Sequence, residues 1–156
     1  MSPRALRFLV SWFAILLAST TSAQEYSPYG NLLTRLTIRD VPITAEVVST
    51  PEKHYLGLSH RQALAEGHGM LFVMETAAHQ GFCMRDMLFS IDIFWIADGK
   101  VAGIHPRLSP KGQGTFVSPV PVRLVLEVPA GFAQRRGIKV GDPVTLQLPG
   151  LGAQAP

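Results

Sequence analysis

The sequence predicts a mainly β domain with one main helix, arranged as a small antiparallel barrel or sandwich of about nine short strands. Two observations support this fold class. The chain contains about nine short runs of apolar or β-branched residues, separated by Gly, Pro, Asp and Ser. Only one segment combines a helix start signal with a helix stop signal.

The strands are predicted from these short runs. Asp98-Gly99 is the clearest hairpin signal, because it separates two runs and favours a two-residue turn with positive φ. A further helical turn is expected over residues 132–136. The predicted strands cover residues 34–39, 43–49, 70–74, 81–85, 91–97, 101–105, 115–117, 123–128 and 144–148.

The main helix is predicted over residues 51–66. Thr50 suits the N-cap, and Pro51 suits the first helical position. Glu52 adds negative charge at the positive end of the helix dipole. Gly67 is the expected stop, since glycine commonly follows the last helical residue.

The chain begins with the three-part pattern of a secretory signal peptide. Arg4 and Arg7 precede an apolar run over residues 8–18, and a small polar stretch ends at Ala23. A membrane-spanning helix needs roughly 20 apolar residues, so a retained anchor is the weaker interpretation. We therefore expect cleavage after Ala23 and a periplasmic or secreted protein with no membrane association.

The expected organisation is a signal peptide (1–23), an extended lead-in (24–33), a single β-rich domain (34–148) and a mobile tail (149–156). Without the signal peptide, 133 residues remain, which suits one domain. They include 12 basic and 11 acidic residues and no Lys/Arg cluster, so no nucleic-acid partner is expected. The oligomeric state is left open.

Cys83 is the single cysteine, so no internal disulfide can form. We expect it to be a buried small apolar residue in a strand, because free cysteine is among the most buried residue types. The alternative is a reactive thiol, since Arg85 is predicted to lie on the same strand face.

Three charged residues, Arg85, Asp86 and Asp92, occur within an otherwise apolar stretch. Strand alternation puts Asp92 on the face of Phe94 and Ile96, where an ionised carboxylate needs backbone N–H donors or a cation. Arg85 is the nearest cation, and a hairpin could place it opposite Asp92.

Two interpretations of this stretch remain open. The charges form a structural ion pair and a cap, or they line a pocket that binds a small polar ligand or a partner peptide. Two further possibilities are a carboxylate-dependent enzyme that uses Asp86 or Asp92 as a general base, and an assembly protein that uses the apolar loop 87–89. The candidate ligand-binding residues are Arg85, Asp86, Asp92, Phe82, Phe89, Trp95 and, from the helix, Arg61.

No cofactor or metal is expected. The five histidines have no zinc-ligand spacing, and the chain has no nucleophile elbow, no phosphate-binding glycine loop and no haem-attachment motif. No established catalytic motif is therefore present.

In combination, several motifs resemble the family known as domain of unknown function 192. They are Thr50…Gly57-Leu58…Arg61…Leu64, Gly69-Met70-Leu71-Phe72, Phe82-x-Met84, Ile91-Asp92-Ile93-Phe94 and Leu126-Glu127…Gly131. The resemblance covers roughly residues 36–148. It implies a compact, mostly β domain, often exported, with no established activity to transfer.

The chain departs from the usual pattern of that family at several positions. The family commonly has F-W-M-K-N-T ahead of P-L-D, whereas this chain has Cys83 for Trp, Asp86 for Asn, Met87 for Thr and Ser90 for Pro. Ser59 also replaces a usual Met. Asp86 is the informative change, because an ionised Asp only accepts hydrogen bonds where Asn also donates them.

Overall fold

The computed structural model describes residues 23–146, so the predicted signal peptide, apart from its last residue, and the predicted tail 149–156 lie outside the described residues. This part of the chain contains nine strands and two short helices. They are β1 (Leu32–Ile38), β2 (Val41–Val48), α1 (Pro51–Leu56), β3 (His68–Ala78), β4 (Gly81–Phe82), β5 (Ile91–Ala97), β6 (Lys100–Leu108), β7 (Phe116–Val117), β8 (Val122–Pro129), α2 (Phe132–Arg136) and β9 (Val144–Leu146).

Seven strands form one sheet in the order β6-β5-β8-β3-β2-β1-β9, and β4 pairs with β7 in a small second sheet. The pairs are antiparallel except β2–β3, which is parallel. A parallel pair needs a crossover connection, and residues 49–67, which include α1, supply it. The predicted mainly β, largely antiparallel fold is confirmed.

The large sheet curls into a half-barrel. Lys100 at the start of β6 bridges to Pro143, just ahead of β9. The Val144 N–H also donates to the Gly99 carbonyl at 2.7 Å. The Asp98-Gly99 turn has φ values of 49° and 63°, which confirms the predicted hairpin between β5 and β6.

The sheet separates two apolar cores, one on each face. On β5, Phe94 and Ile96 belong to the inner core, whereas Ile93 and Trp95 belong to the outer core. Phe132 of α2 completes the inner core. The outer core is covered by the α1 crossover and by the segment between β3 and β5. Full burial of each large apolar side chain stabilises the fold by about 1.5–3 kcal/mol.

The main helix is much shorter than predicted. The Thr50 hydroxyl accepts a hydrogen bond from the Lys53 N–H at 3.3 Å, as expected of an N-cap. The helix ends at Leu56 because Gly57 adopts a positive φ of 48°, and its N–H bonds to the Lys53 carbonyl at 2.9 Å. The prediction of a helix to residue 66 was wrong; the crossover turns after Gly57 and buries Leu58 against the outer core.

The first strand begins two residues earlier than the predicted residue 34. Leu32 and Leu33 are the first residues of β1, and Ser27 and Asn31 are buried. In the described part of the chain, no helix is both long and apolar enough to cross a membrane.

Candidate functional site

Asp92 is fully buried on the inner face of the sheet, and backbone N–H groups satisfy its carboxylate. Oδ1 accepts hydrogen bonds from the N–H groups of Arg107 and Gly131, both at 2.8 Å. Oδ2 accepts one from Ala133 at 2.9 Å. Asp92 therefore joins β5 to β6 and caps the first turn of α2. The predicted Arg85–Asp92 pair is wrong, because Asp92 is fully buried on the inner face whereas the Arg85 guanidinium binds Tyr55 and Asp86 at the surface.

Arg85 is bound at the protein surface. Its guanidinium lies 3.8 Å from the centre of the Tyr55 ring, and Nη2 donates to the Tyr55 carbonyl at 2.7 Å. Nε lies 3.7 Å from Asp86 Oδ2, and about half of each side chain is exposed. An exposed pair of this kind contributes little stability. Asp86 itself adopts a positive φ of 55° in the turn.

The apolar candidates differ in how far they are buried. Trp95 is fully buried in the outer core and donates from Nε1 to His105 Nδ1 at 2.7 Å. Phe89 is half-buried and packs against the outer core. In the loop 87–89, Met87 is buried, whereas Leu88 is 52% exposed. The segment is thus partly packed, as its composition predicts.

Arg61 lies in a buried polar cluster that fastens the N-terminal segment to the crossover. Its Nη2 lies 3.0 Å from Glu46 Oε2, and its guanidinium stacks 3.6 Å from the centre of the Tyr29 ring. Ser27 and Asn31 also donate to Glu46 Oε2, at 2.9 and 2.8 Å. Burial alone would raise the pKa of Glu46, but these hydrogen bonds outweigh it and the pKa lies below its usual value.

A cavity of about 430 Å³ lies between the α1 crossover and the outer face of the sheet, and we call it the Glu127 cavity. Its volume falls within the usual range for small-ligand sites. Its walls are Pro51, His54, Tyr55, Leu56, Gly57, Leu58, Ser59, Phe72, Met74, Gln80, Gly81, Phe82, Cys83, Arg85, Met87 and Glu127.

Glu127 is the unusual residue of this wall. It lies on β8 directly opposite Met70 and Ile93, both in the outer core, so its side chain points to the outer face. It is 5% exposed, and no hydrogen bond or ion pair joins its carboxyl to another described residue. Burial raises the pKa of Glu127 to about 8, because the carboxylate form loses hydration without compensation.

Aromatic rings form one side of the Glu127 cavity. Phe72 and Phe82 pack edge to face with their centroids 4.8 Å apart, and Trp95 supports Phe82 from behind at 5.6 Å. His54 from α1 is held by an Nε2 hydrogen bond of 3.1 Å to the Val48 carbonyl. The expectation of a buried Cys83 was wrong, since its thiol is exposed at this wall. Strand β4 ends at Phe82, and alternation therefore does not extend to residue 85.

A second cavity, of about 660 Å³, adjoins the first and shares Leu56, Gly57 and Ser59 with it. Arg61 and Tyr29 are among its walls. Of the seven predicted binding residues, Phe82 and Arg85 line the Glu127 cavity and Arg61 lines the second one. The remaining four line neither cavity: Asp86, Asp92, Phe89 and Trp95.

The convergence of Arg85, Asp86 and Asp92 on one pocket is therefore not observed. Asp92 faces the inner core, and Asp86 lies at the surface, so the two carboxylates have no cavity in common in which to divide acid and base roles. Among residues 23–146, no group of three or more His, Cys, Asp and Glu side chains is placed to hold a metal ion.

Sequence reasoning missed Glu127 as a site residue. The available signal was a single acid in the apolar run Leu124-Val125-Leu126-Glu127-Val128. Alternation places Glu127 on the face of Val125, which belongs to the outer core.

Two solved structures share this fold over most of the chain. A protein of unknown function from Novosphingobium aromaticivorans DSM 12444 is 27% identical, with a TM-score of 0.74, and the match covers 80% of this chain and 94% of that one. A protein from Sinorhizobium meliloti 1021, whose name suggests a transcription regulator, is 30% identical, with a TM-score of 0.68 and coverage of 73% and 92%. No curated protein gives a significant match.

The family described as "Uncharacterized ACR", domain of unknown function 192, matches residues 34–146. This range includes both cores, the Glu127 cavity and the Asp92 cap. The chain belongs to the domain of unknown function 192 family.

Proposed function

We propose that this chain is an exported domain that binds a small polar ligand in the Glu127 cavity. One observation supports the proposal most directly. The Glu127 residue is 5% exposed, its carboxyl has no partner among the described residues, and it lines a cavity of ligand size. Buried polar groups are normally hydrogen-bonded, and those that are not often serve a functional site.

A bound ligand would stabilise the Glu127 carboxylate. Among the described residues, no fully buried side-chain N or O atom lacks a hydrogen-bond partner, so the unpartnered Glu127 carboxyl keeps some contact with solvent. A ligand donor at Glu127 would replace the hydration that the carboxylate loses on burial and would also give the site orientation and selectivity. The Phe72 and Phe82 rings supply the apolar contact area that small-molecule sites usually have.

The site differs in part from the sequence-based hypothesis. Phe82 and Arg85 stay in it, at the wall and the rim, and Glu127 replaces Asp92 as the buried carboxyl. No ligand contact is assigned to Asp86, Phe89 or Trp95, because these residues line neither cavity.

A partner peptide is the second candidate. The observation that favours it is the adjoining second cavity, reached across Leu56, whose side chain is 55% exposed. An extended peptide could occupy both cavities, whereas a small molecule needs only the one containing Glu127. Peptide binding should therefore depend on Tyr29 as well as on Glu127.

Export is proposed from the sequence alone. The Arg4 and Arg7 region, the apolar run 8–18 and the small residues up to Ala23 have the order of a signal peptide. N-terminal sequencing of the protein from a periplasmic or secreted fraction should give Gln24 as the first residue. Recovery of Met1 or Ser2 at the terminus of the mature protein would contradict export by cleavage.

A thermal-shift screen tests binding. Wild-type protein is heated with amines, carboxylates, sugars and neutral amides, because a ligand that binds only the native state raises Tm. The variant Cys83→Trp fills the rim of the Glu127 cavity with the residue that the family commonly has there. Leu88→Trp, at an exposed position outside the cavity walls, is the matched control.

We expect at least one probe to raise the wild-type Tm in a saturable manner, with a smaller shift for Cys83→Trp and an unchanged shift for Leu88→Trp. Equal shifts in all three proteins would place binding outside the cavity and contradict the proposal. The proposal would also be contradicted if no probe of any class shifted the wild-type Tm.

A further inference from the structure

We propose that the ligand of the Glu127 cavity presents a cationic nitrogen, an amine or a guanidinium on an apolar body, to the Glu127 carboxylate. This inference rests on the proposed function and names its ligand class. It follows from the position of Glu127, the chemistry of the cavity walls and the arrangement of the surrounding charges.

Glu127 is placed to receive a cation and is left without one by the protein. It is fixed in the middle of β8 between Met70 and Ile93, so the strand cannot easily carry it to another partner. The described residues offer it no hydrogen bond or ion pair. A buried carboxylate becomes favourable when a cation pairs with it at close range.

The walls around Glu127 favour positive charge over negative charge. The faces of aromatic rings carry negative potential, and Phe72 and Phe82 both line the cavity. Met74 and Met87 add polarisable sulfur at the same walls. An anion in this position would lie beside the Glu127 carboxyl and two aromatic rings.

Arg85 is the one guanidinium among the cavity walls, and it is already engaged. Its Nη2 donates to the Tyr55 carbonyl, and its plane stacks on the Tyr55 ring. The Asp86 carboxylate lies beside its Nε. Arg85 is thus held at the rim by groups that offset its charge, and it makes no ion pair with Glu127.

The other titratable groups that line the cavity are His54 and Tyr55 from α1 and Cys83 beyond β4. Strands β3 and β5 place Met70 and Ile93 directly opposite Glu127, and neither residue is titratable. His54 is held by the Val48 carbonyl. When a cation binds in the cavity, Glu127 is therefore the group that should change its protonation state.

The proton balance of binding is simple. Below about pH 8 the free protein holds Glu127 largely as the neutral acid. When an ammonium ion binds, the carboxyl O–H bond breaks, the carboxylate pairs with the ammonium group, and the proton leaves to the buffer. Binding is thus coupled to proton release, and the release disappears when the free carboxyl is already ionised.

Calorimetric titration tests this inference with benzylamine, benzyl alcohol and benzoate as matched probes. Each is titrated at about pH 6 in two buffers with different ionisation enthalpies, so that the difference in observed heat counts the protons released. Wild type is compared with Glu127→Gln and with Glu66→Gln, a control at an exposed acid that pairs with Arg135.

We expect benzylamine to bind wild type at least about tenfold more tightly than benzyl alcohol, with release of nearly one proton per ligand. Glu127→Gln should lose about tenfold in benzylamine affinity and release no proton, whereas Glu66→Gln should match wild type. The comparison of the three probes on wild type needs no variant, so it stands even if Glu127→Gln does not fold.

Equal affinity for benzylamine and benzyl alcohol, or tighter binding of benzoate, would overturn the inference. So would benzylamine binding without proton release at about pH 6. If none of the three probes binds but the thermal-shift screen gives a ligand without a cationic nitrogen in the cavity, the inference fails and the proposed function stands. If no probe binds in either experiment, both fail.

Discussion

The carboxylate of Asp92 accepts the N–H of Ala133 at 2.9 Å, so a side chain of β5 caps the first turn of α2. The same carboxylate binds the N–H of Gly131, the residue before the helix. Helix starts have unsatisfied N–H groups, and here a distant strand supplies the acceptor. Asp92 therefore has an architectural role, and the proposed ligand site lies on the opposite face of the sheet.

Replacing Asp92 with Asn should destabilise the fold strongly while leaving ligand affinity nearly unchanged. The amide keeps the shape of the side chain but puts an N–H₂ group where backbone N–H groups now donate. We expect a loss of about 2–4 kcal/mol, because three charge-assisted hydrogen bonds are weakened or lost. Urea unfolding measures it, and an Asp92→Asn protein as stable as wild type would contradict the assigned role.

Arg61→Met should cost much more stability than Arg85→Met. Arg61 is paired with buried Glu46, and removing it leaves a buried carboxylate with no cation and only the hydrogen bonds from Ser27 and Asn31, at a cost of about 3 kcal/mol. Arg85 is exposed at its salt bridge, and its removal should cost below about 1 kcal/mol. Chemical denaturation of the two variants in parallel provides the comparison. Similar costs for both would show that the Glu46 cluster does not stabilise the fold.

The stability of the domain should fall as pH rises from about 4.5 to about 8, through the titration of Glu127. Burial raises its pKa in the fold, so between these values the native state binds more protons than the unfolded state. The stabilisation from protonated Glu127 is fully present below the pKa that this residue has in the unfolded state. It is lost as pH rises through the pKa that it has in the folded state. Glu127→Gln should remove this slope, and urea midpoints measured across that pH range test it. A slope that is identical in the variant would rule out Glu127 as its source.

Glu46 should contribute the opposite pH dependence at low pH. Its hydrogen bonds hold its pKa below the usual value of 4.5, so its contribution is present above that value. The contribution is lost as pH falls through the lower folded pKa. Glu46→Gln should therefore flatten the acid limb of the stability profile. An unchanged acid limb in that variant would contradict this assignment.

Cys83 should react with a thiol reagent in the native protein, because its side chain is exposed at the wall of the Glu127 cavity. Labelling in buffer should reach one thiol per chain without added denaturant. A bulky adduct there should also weaken binding of any ligand in the cavity. Labelling that begins only as denaturant unfolds the domain would show that the thiol is buried.

The fold was largely predictable from local signals, whereas long-range partners were not. Short apolar runs gave the strands, and Asp98-Gly99 gave the β5–β6 hairpin. Alternation correctly put Asp92 on an apolar face and implied that it needed donors. Those donors include Gly131 and Ala133, which lie 39 and 41 residues away, and no local pattern points to them. Proximity in the sequence instead favours Arg85, which is the wrong partner.

The candidate site was harder to predict because it depends on where chain segments turn. The end of α1 at Gly57 forms one wall of the cavity, and a helix extended to residue 66 would not have formed it. Strand β4 ends at Phe82, so Cys83 follows the strand and is exposed, although free cysteine is usually buried. Glu127 was visible as one acid in an apolar strand, but its lack of a partner becomes evident only once β3 and β5 are placed beside it.

The most direct test of the Glu127 site is a titration of the Glu127 carboxyl carbon by ¹³C NMR, with and without saturating benzylamine. We predict a midpoint near the value of about 8 in the free protein, and a clear decrease when the amine is bound. A midpoint near the ordinary value of 4.5 in the free protein would contradict a largely buried Glu127 without a partner in the cavity wall.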